Sequence, residues 1–225
     1  MIISKPSPDI ILNIRKPVGW SSNDVIRYVK HRAQGYKVGH AGTLDPFAEG
    51  VLLVCIGKAT KKVTELMNEE KEYNAGVRLG MATDSFDLAG TVTQETVVPE
   101  LSEQLIAAIK NKFIGEMQQT PPDISAVKFN GQRAYHVVRT GGQVELKAKK
   151  VILYDLNIDV KSENYLILNV VCSKGTYIRS LARDIAHFIG TTGYVQKLVR
   201  MRIGPYRLQS AMEIPLVADY LKDQL

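Results

Sequence analysis

Apolar residues recur along the chain at two periods. Ile10 to Ile14 reads as a first strand, and the unbroken apolar, β-rich run Val51 to Ile56 (VLLVCI) predicts a central strand. Helical spacing predicts a helix over Ser21 to Ala33, with Val25, Ile26 and Val29 on one side. Ser21, Ser22 and Asn23 offer its N-cap, and Gly35 can end it. A short helix follows over Thr60 to Met67, with Val63, Leu66 and Met67 on one side and lysines on the other. Leu105, Ile106, Ile109 and Phe113 mark an amphipathic helix over Ser102 to Phe113. Another spans Gly175 to Ile189 and is closed by Gly190. Tyr73 to Leu79 and Gly90 to Val97 read as strands joined by the polar loop ATDSFDLA. Asn130-Gly131 is the strongest hairpin signal. Val151 to Val160 and Tyr165 to Cys172 predict paired strands across the turn KSEN, and Tyr194 to Ile203 a last strand. The segments alternate without a βαβ rhythm. That predicts an α+β fold: a single domain over residues 1–225, with a mixed, mainly antiparallel central sheet flanked by helices and a cleft across it.

Composition narrows the class. Of 225 residues, 45% are hydrophobic and 23% charged, the balance of a globular protein with a sizeable core. No apolar run is long enough to span a bilayer, and MIISKPSPDI lacks the apolar stretch of a signal peptide. Cys55 and Cys172 lie in apolar segments, which favours reduced thiols and a cytoplasmic protein, with a single disulfide as the alternative. Two cysteines and four scattered histidines show no ligand spacing, against a zinc site. Lysine and arginine total 29 against 23 acidic residues, a net charge of +6. That excess fits a phosphate-bearing partner without requiring one.

Several short motifs fail on inspection. Gly57-Lys58 has Leu52 where a P-loop needs glycine, and Ala59 where it needs Ser or Thr. Gly39-His40-Ala41-Gly42 and Gly190-Thr191-Thr192-Gly193 match a GxxG, but neither sits between two helices. GTLD suggests a phospho-aspartate enzyme, except that the aspartate follows the triplet and no second aspartate stands two residues on.

Asp45 is the residue of interest, in the stretch GHAGTLDPFAEG. One reading is a turn-forming Asp-Pro whose carboxylate caps nearby N–H groups. The other is a reactive carboxylate. A glycine-rich approach lets a substrate come close to the backbone, and the strand that follows gives a rigid mount. His40 stands close by in sequence, where it can orient a ligand or simply be a satisfied histidine.

Five blocks occur in order: KPVGWSSNDVI (Lys16 to Ile26), GHAGTLDPFAEGVLLVCIGKATK (Gly39 to Lys61), KEYNAGVRLGMATDSFDLAG (Lys71 to Gly90), PPDISAVKFNGQRAY (Pro121 to Tyr135) and CSKGTYIRSLARDI (Cys172 to Ile185). Together they closely resemble the TruB family of tRNA pseudouridine synthases, over Lys16 to about Tyr206. The resemblance implies an isomerase that converts uridine 55 in the T-loop of tRNA to pseudouridine, using no metal and no organic cofactor. It implies that Asp45 is the nucleophile, in a water-poor pocket. Tyr73 resembles the tyrosine that stacks on the target base, and Arg179 the arginine paired with the nucleophile. Tyr177 resembles a pocket wall, and Leu198 a hydrophobic contact to the flipped nucleotide. His40 resembles the histidine that helps hold the T-loop with the uridine out of its stack.

Lys61, Lys62, Lys147, Lys149 and Lys150 are candidates for phosphate contacts. Lys16-Pro17 and the PP-ISAVK block read as support for the pocket from behind. Two departures from the pattern stand out. Ala41 replaces the usual Thr or Ser, and the chain stops at Leu225 without the C-terminal PUA-type RNA-binding domain common in bacterial relatives. The expected partner is the T-arm stem-loop of tRNA, bound by a monomer. The competing readings are a non-catalytic RNA escort and an enzyme acting on a uridine in another loop.

Overall fold

The computed structural model describes residues 8–125, 128–129, 132–133, 137, 140, 142 and 144–225. In chain order the elements are β1 (Asp9–Lys16), α1 (Ser22–Arg32), β2 (Val38–Ala41), β3 (Glu49–Gly57), a 3-10 turn (Lys58–Lys62), α2 (Val63–Asn68), β4 (Lys71–Leu79), β5 (Met81–Thr83) and β6 (Val92–Glu95). Then come α3 (Glu103–Phe113), β7 (Gly115–Gln119), β8 (Lys128–Phe129), β9 (Gln132–Arg133), β10 (Lys149–Ser162) and β11 (Tyr165–Cys172). The chain ends with α4 (Ile178–Phe188), β12 (Gly193–Ile203), β13 (Tyr206–Arg207), a 3-10 turn (Leu208–Ser210) and α5 (Ile214–Gln224). They group into two compact units, one of residues up to Glu72 with Val199–Leu225, the other Tyr73–Leu198.

In the first unit β3 is the organising strand. It pairs antiparallel with β1 along its whole length and with β2 from Val38↔Ile56 to Ala41↔Leu53. The end of β12 joins it in parallel at Val199↔Glu49 and Arg200↔Gly50. The unbroken apolar run now has its reason: side chains alternate across a strand, and both faces are covered. Leu52, Val54 and Ile56 face Val25 and Val29 of α1 and Val217 and Leu221 of α5. Val51, Leu53 and Cys55 pack with Ala59, Leu66 of α2 and Ile203. Helix α1 starts where its cap residues require, because Ser21 and Asp24 form a reciprocal capping box.

In the second unit the strand order is β12–β4–β11–β10–β7. The expected hairpin of β10 and β11 is present, from Leu153↔Cys172 to Ser162↔Tyr165, with two bulges in β10. Strand β7, which the pattern did not predict, pairs antiparallel with the start of β10. Helix α3 is capped by Ser102, whose hydroxyl accepts from the Leu105 N–H. The Asn130-Gly131 turn lies outside the described residues, but the strands that flank it pair antiparallel, Lys128↔Arg133 and Phe129↔Gln132.

Four expectations need correction. The strand expected over Gly90 to Val97 is shorter, Val92–Glu95, and pairs with β5, whose Ala82 and Thr83 the pattern had placed in the loop ATDSFDLA. The helix expected from Gly175 starts three residues later, at Ile178, behind the positive φ of Gly175. The helix expected over Thr60 to Met67 is a 3-10 turn that becomes α2 at Val63, with Met67 exposed. Tyr194 to Ile203 is not the last strand, since β13 and then α5 follow it. The fold is therefore mixed α and β, with mostly antiparallel sheets flanked by helices, as the pattern predicts.

Candidate active site

Asp45 lies half-buried in the connection from β2 to β3, in the first unit. Buried main-chain carbonyls need donors, and residues 42 to 46 each find one. The Arg200 guanidinium donates through Nη2 to Gly42 O (3.1 Å) and through Nη1 to Thr43 O (3.3 Å). The Ser22 hydroxyl donates to Leu44 O (3.1 Å) and accepts from the Leu44 N–H (2.9 Å). Asp45 O accepts from Ala48 N (3.1 Å), closing a turn over Pro46-Phe47. Pro46 O accepts from Gly19 N (2.8 Å), with the Lys16 ammonium at 3.5 Å. The glycine-rich loop is thus tied down at every residue around the carboxylate.

Three of these ties come from two buried cations, Arg200 and Lys16. Lys16 is fully buried and also donates to Trp20 O (2.6 Å) and Pro17 O (2.8 Å). Burial pulls its pKa down from 10.5 to about 8. Asp45 works against that shift by attraction and Arg200 adds to it by repulsion. Lys16 and Asp45 are therefore electrostatically coupled, which makes the expected support from behind the loop a charged one. Arg200 is 1% exposed, and among the described residues no carboxylate lies within ion-pair distance of it.

His40 sits on β2, a strand the sequence pattern did not predict, opposite Val54. Its Nδ1 is buried with no hydrogen-bond partner among the described residues. Burial, followed by the Arg200 charge, pushes its pKa below the ordinary histidine value, while a hydrogen bond with the Gly42 backbone opposes the shift. The imidazole is neutral near pH 7.

Tyr73, Tyr177, Arg179 and Leu198 belong to the second unit. Tyr73 is on β4 and Leu198 on β12, and both are buried. Tyr177 occupies the N-cap position of α4, where the Gln119 amide clamps its backbone, Oε1 accepting from Tyr177 N (2.7 Å) and Nε2 donating to Tyr177 O (3.1 Å). The Ser180 hydroxyl adds a bond to Thr120 O (2.8 Å). The end of β7 thereby fixes the first turn of α4, which carries Arg179.

Arg179 donates through Nη1 to Ser85 O (2.9 Å) and to Asp87 Oδ2 (3.2 Å), and through Nη2 to Ile124 O (3.1 Å). Asp87 is held in turn by the Ser85 hydroxyl (2.7 Å) and the Ala89 N–H (2.9 Å) on Oδ1. Sequence reading missed Asp87, Gln119, Ser22 and Arg200. The available signals were a second acid in ATDSFDLA and an arginine inside the apolar strand KLVRMRI. Of the candidate lysines, all five are exposed, and Lys62 and Lys150 form surface ion pairs with Asp9 and Glu116.

This fold has counterparts among solved structures. It superposes on a protein in the crystal structure of a Cbf5-Nop10-Gar1 complex with a TM-score of 0.71 and 29% identity, over 93% of this chain and 54% of that one. A structure of an H/ACA RNP bound to a substrate RNA containing 2'-deoxyuridine matches at 0.68 and 26%, over 93% and 52%. The chain spans about half the length of both. The fold is that of the pseudouridine synthases.

Proteins named tRNA pseudouridine synthase B are similar in sequence. That of Francisella tularensis is 40% identical over 96% of this chain and 71% of its own length. Those of Bacteroides fragilis and Phocaeicola vulgatus are 37% and 38% identical, over 95% of this chain and 94% of theirs. Residues 29–178 match the family described as TruB family pseudouridylate synthase (N terminal domain). The chain belongs to the TruB family of pseudouridylate synthases, and its enzyme class is isomerase. Among the described residues no helix is long and apolar enough to cross a membrane.

Proposed function

We propose that this protein converts uridine 55 in the T-loop of tRNA to pseudouridine, with Asp45 as the nucleophile. The observation that carries the reading is the harness on the Asp45 loop, where the carbonyls of residues 42 to 46 each accept a hydrogen bond. A carboxylate mounted so rigidly suits a reaction in which small displacements are costly. Family membership and relatives named for tRNA support the substrate, and the +6 charge suits a polyanion.

The isomerisation breaks the N1–C1′ bond and forms C5–C1′. A proton leaves C5 and one is taken up at N1, so the atoms balance without an external oxidant or reductant. Asp45 supplies the nucleophilic carboxylate that the detached state needs. Tyr73 stacks on the base, His40 holds the loop with the uridine flipped out, and Leu198 and Tyr177 wall the nucleotide. Arg179, gripped by Asp87, supplies the guanidinium that orients charge at the site. The enzyme works as a cytoplasmic monomer without metal or organic cofactor.

The test is tritium release from uridine labelled at C5 in a T-arm stem-loop, with Asp45→Asn run in parallel. Wild type releasing the label and Asp45→Asn failing to do so, with both binding the stem-loop, is the expected result. Equal release by the two proteins would end the nucleophile assignment. Binding without release by wild type, on full-length tRNA as well, would replace the enzyme by an RNA escort.

A further inference from the structure

Arg200 reaches the Asp45 loop from the far end of the chain, and its side chain is among the largest of the fully buried ones. Its three donor directions meet three carbonyls. Nη2 and Nη1 hold Gly42 and Thr43, and Nε holds Val51 O at 2.7 Å. Gly42 and Thr43 lead into Asp45, whereas Val51 lies beyond it on β3. One planar group therefore clips both ends of the segment that carries the carboxylate, and its plane fixes their separation.

The approach that makes this possible is itself built. At Gly50, the residue before Val51, φ is +116° and an added Cβ would lie 2.3 Å from Arg200 O and 2.7 Å from Arg200 N. Only glycine allows both the backbone angle and the contact. That contact seats Arg200 in the parallel pair with Gly50 and sends its side chain beneath the loop. At Gly42 an added Cβ would meet Nη1 only at an ordinary contact distance of 3.7 Å, so there it is the backbone angle (φ +86°) that favours glycine.

A guanidinium solvated only by carbonyl dipoles is an expensive way to fill a core, since an apolar side chain of similar volume often does it at lower free energy. What the guanidinium adds is direction: three bonds in one rigid plane, which a lysine ammonium cannot reproduce. We infer that Arg200 is a positioning residue for the reaction, setting the place of the Asp45 carboxylate through the main chain at Gly42, Thr43 and Val51. This rests on the reading of Asp45 as nucleophile.

The test is single-turnover tritium release from the C5-labelled T-arm stem-loop by Arg200→Lys and Arg200→Gln, each normalised to its folded fraction. Affinity for the stem-loop is measured beside it. Val29→Ala, which weakens the core of the same unit away from the loop, controls for lost stability, and Asp45→Asn is run in parallel. The expected result is a fall in the chemical rate of about 10²-fold in both Arg200 variants, with binding within about threefold of wild type. A rate per folded molecule no lower than that of Val29→Ala would overturn the assignment. So would failure of both variants to fold, which would make Arg200 a purely structural residue. Activity in Asp45→Asn would take down the nucleophile reading and this one with it, whereas an inactive Asp45→Asn beside a normal Arg200→Lys would sink this one alone.

Discussion

Asp87 Oδ2 lies 3.2 Å from Arg179 Nη1, and both side chains are nearly inaccessible, at 7% and 4% exposure. The pair is 92 residues apart in sequence and held by further hydrogen bonds, through Ser85 O and Ile124 O on the arginine and the Ser85 hydroxyl and Ala89 N–H on the acid. Removing one partner of a buried pair strands the other charge. Asp87→Ala is expected to destabilise the protein by about 3–5 kcal/mol, measured by urea unfolding. Asp87→Asn keeps the shape but not the charge, and its turnover on the stem-loop is expected to fall by more than its affinity for it. Equal stability in Asp87→Ala and wild type would count against the pair as a fixed element of the site.

Ser22 holds Leu44 at both its N–H and its C=O. Ser22→Ala leaves a buried N–H without an acceptor, a loss of about 1–3 kcal/mol. Ser22→Thr keeps the hydroxyl and is expected to recover most of it. Comparison of the two unfolding curves separates the hydrogen bonds from the mere volume of the side chain.

Lys16 gives a stability with a definite pH sense. Its pKa is about 8 in the folded protein and ordinarily 10.5, so between these values the unfolded chain binds more protons. Stability contributed at this position therefore rises as pH increases from 8 towards 10.5, where the cost of the buried charge disappears. Lys16→Met removes the titration. The stability of wild type relative to Lys16→Met is expected to increase between pH 7 and pH 10, and a constant difference would show that the buried amine does not titrate there.

His40 titrates in the opposite part of the range. Its folded pKa lies below the ordinary 6.5, so acidification through that value favours the unfolded chain. Melting temperatures of wild type are expected to drop more steeply below pH 6.5 than those of His40→Gln. Parallel curves would contradict a buried neutral imidazole.

Much of the fold was legible because its causes are local. The run Val51 to Ile56, the serine cap at Ser21, and the apolar spacing of α3 each express a rule that acts within a few residues. Where the local signal was weak, reading failed. Gly39 and His40 belong to a strand held by β3, not by propensity, and α5 follows a 3-10 turn with no capping side chain to announce it.

The same division runs through the candidate site. The sequence alone determined which residues carry the candidate chemistry, since the blocks around Asp45, Tyr73 and Arg179 are contiguous stretches of chain. Only the tertiary structure decided what holds them. The carbonyl at Val51 finds its donor 149 positions away in Arg200, and Arg179 finds Asp87 across 92. No local pattern encodes such pairs, because a buried charge is placed by whichever polar groups the packed chain brings to it.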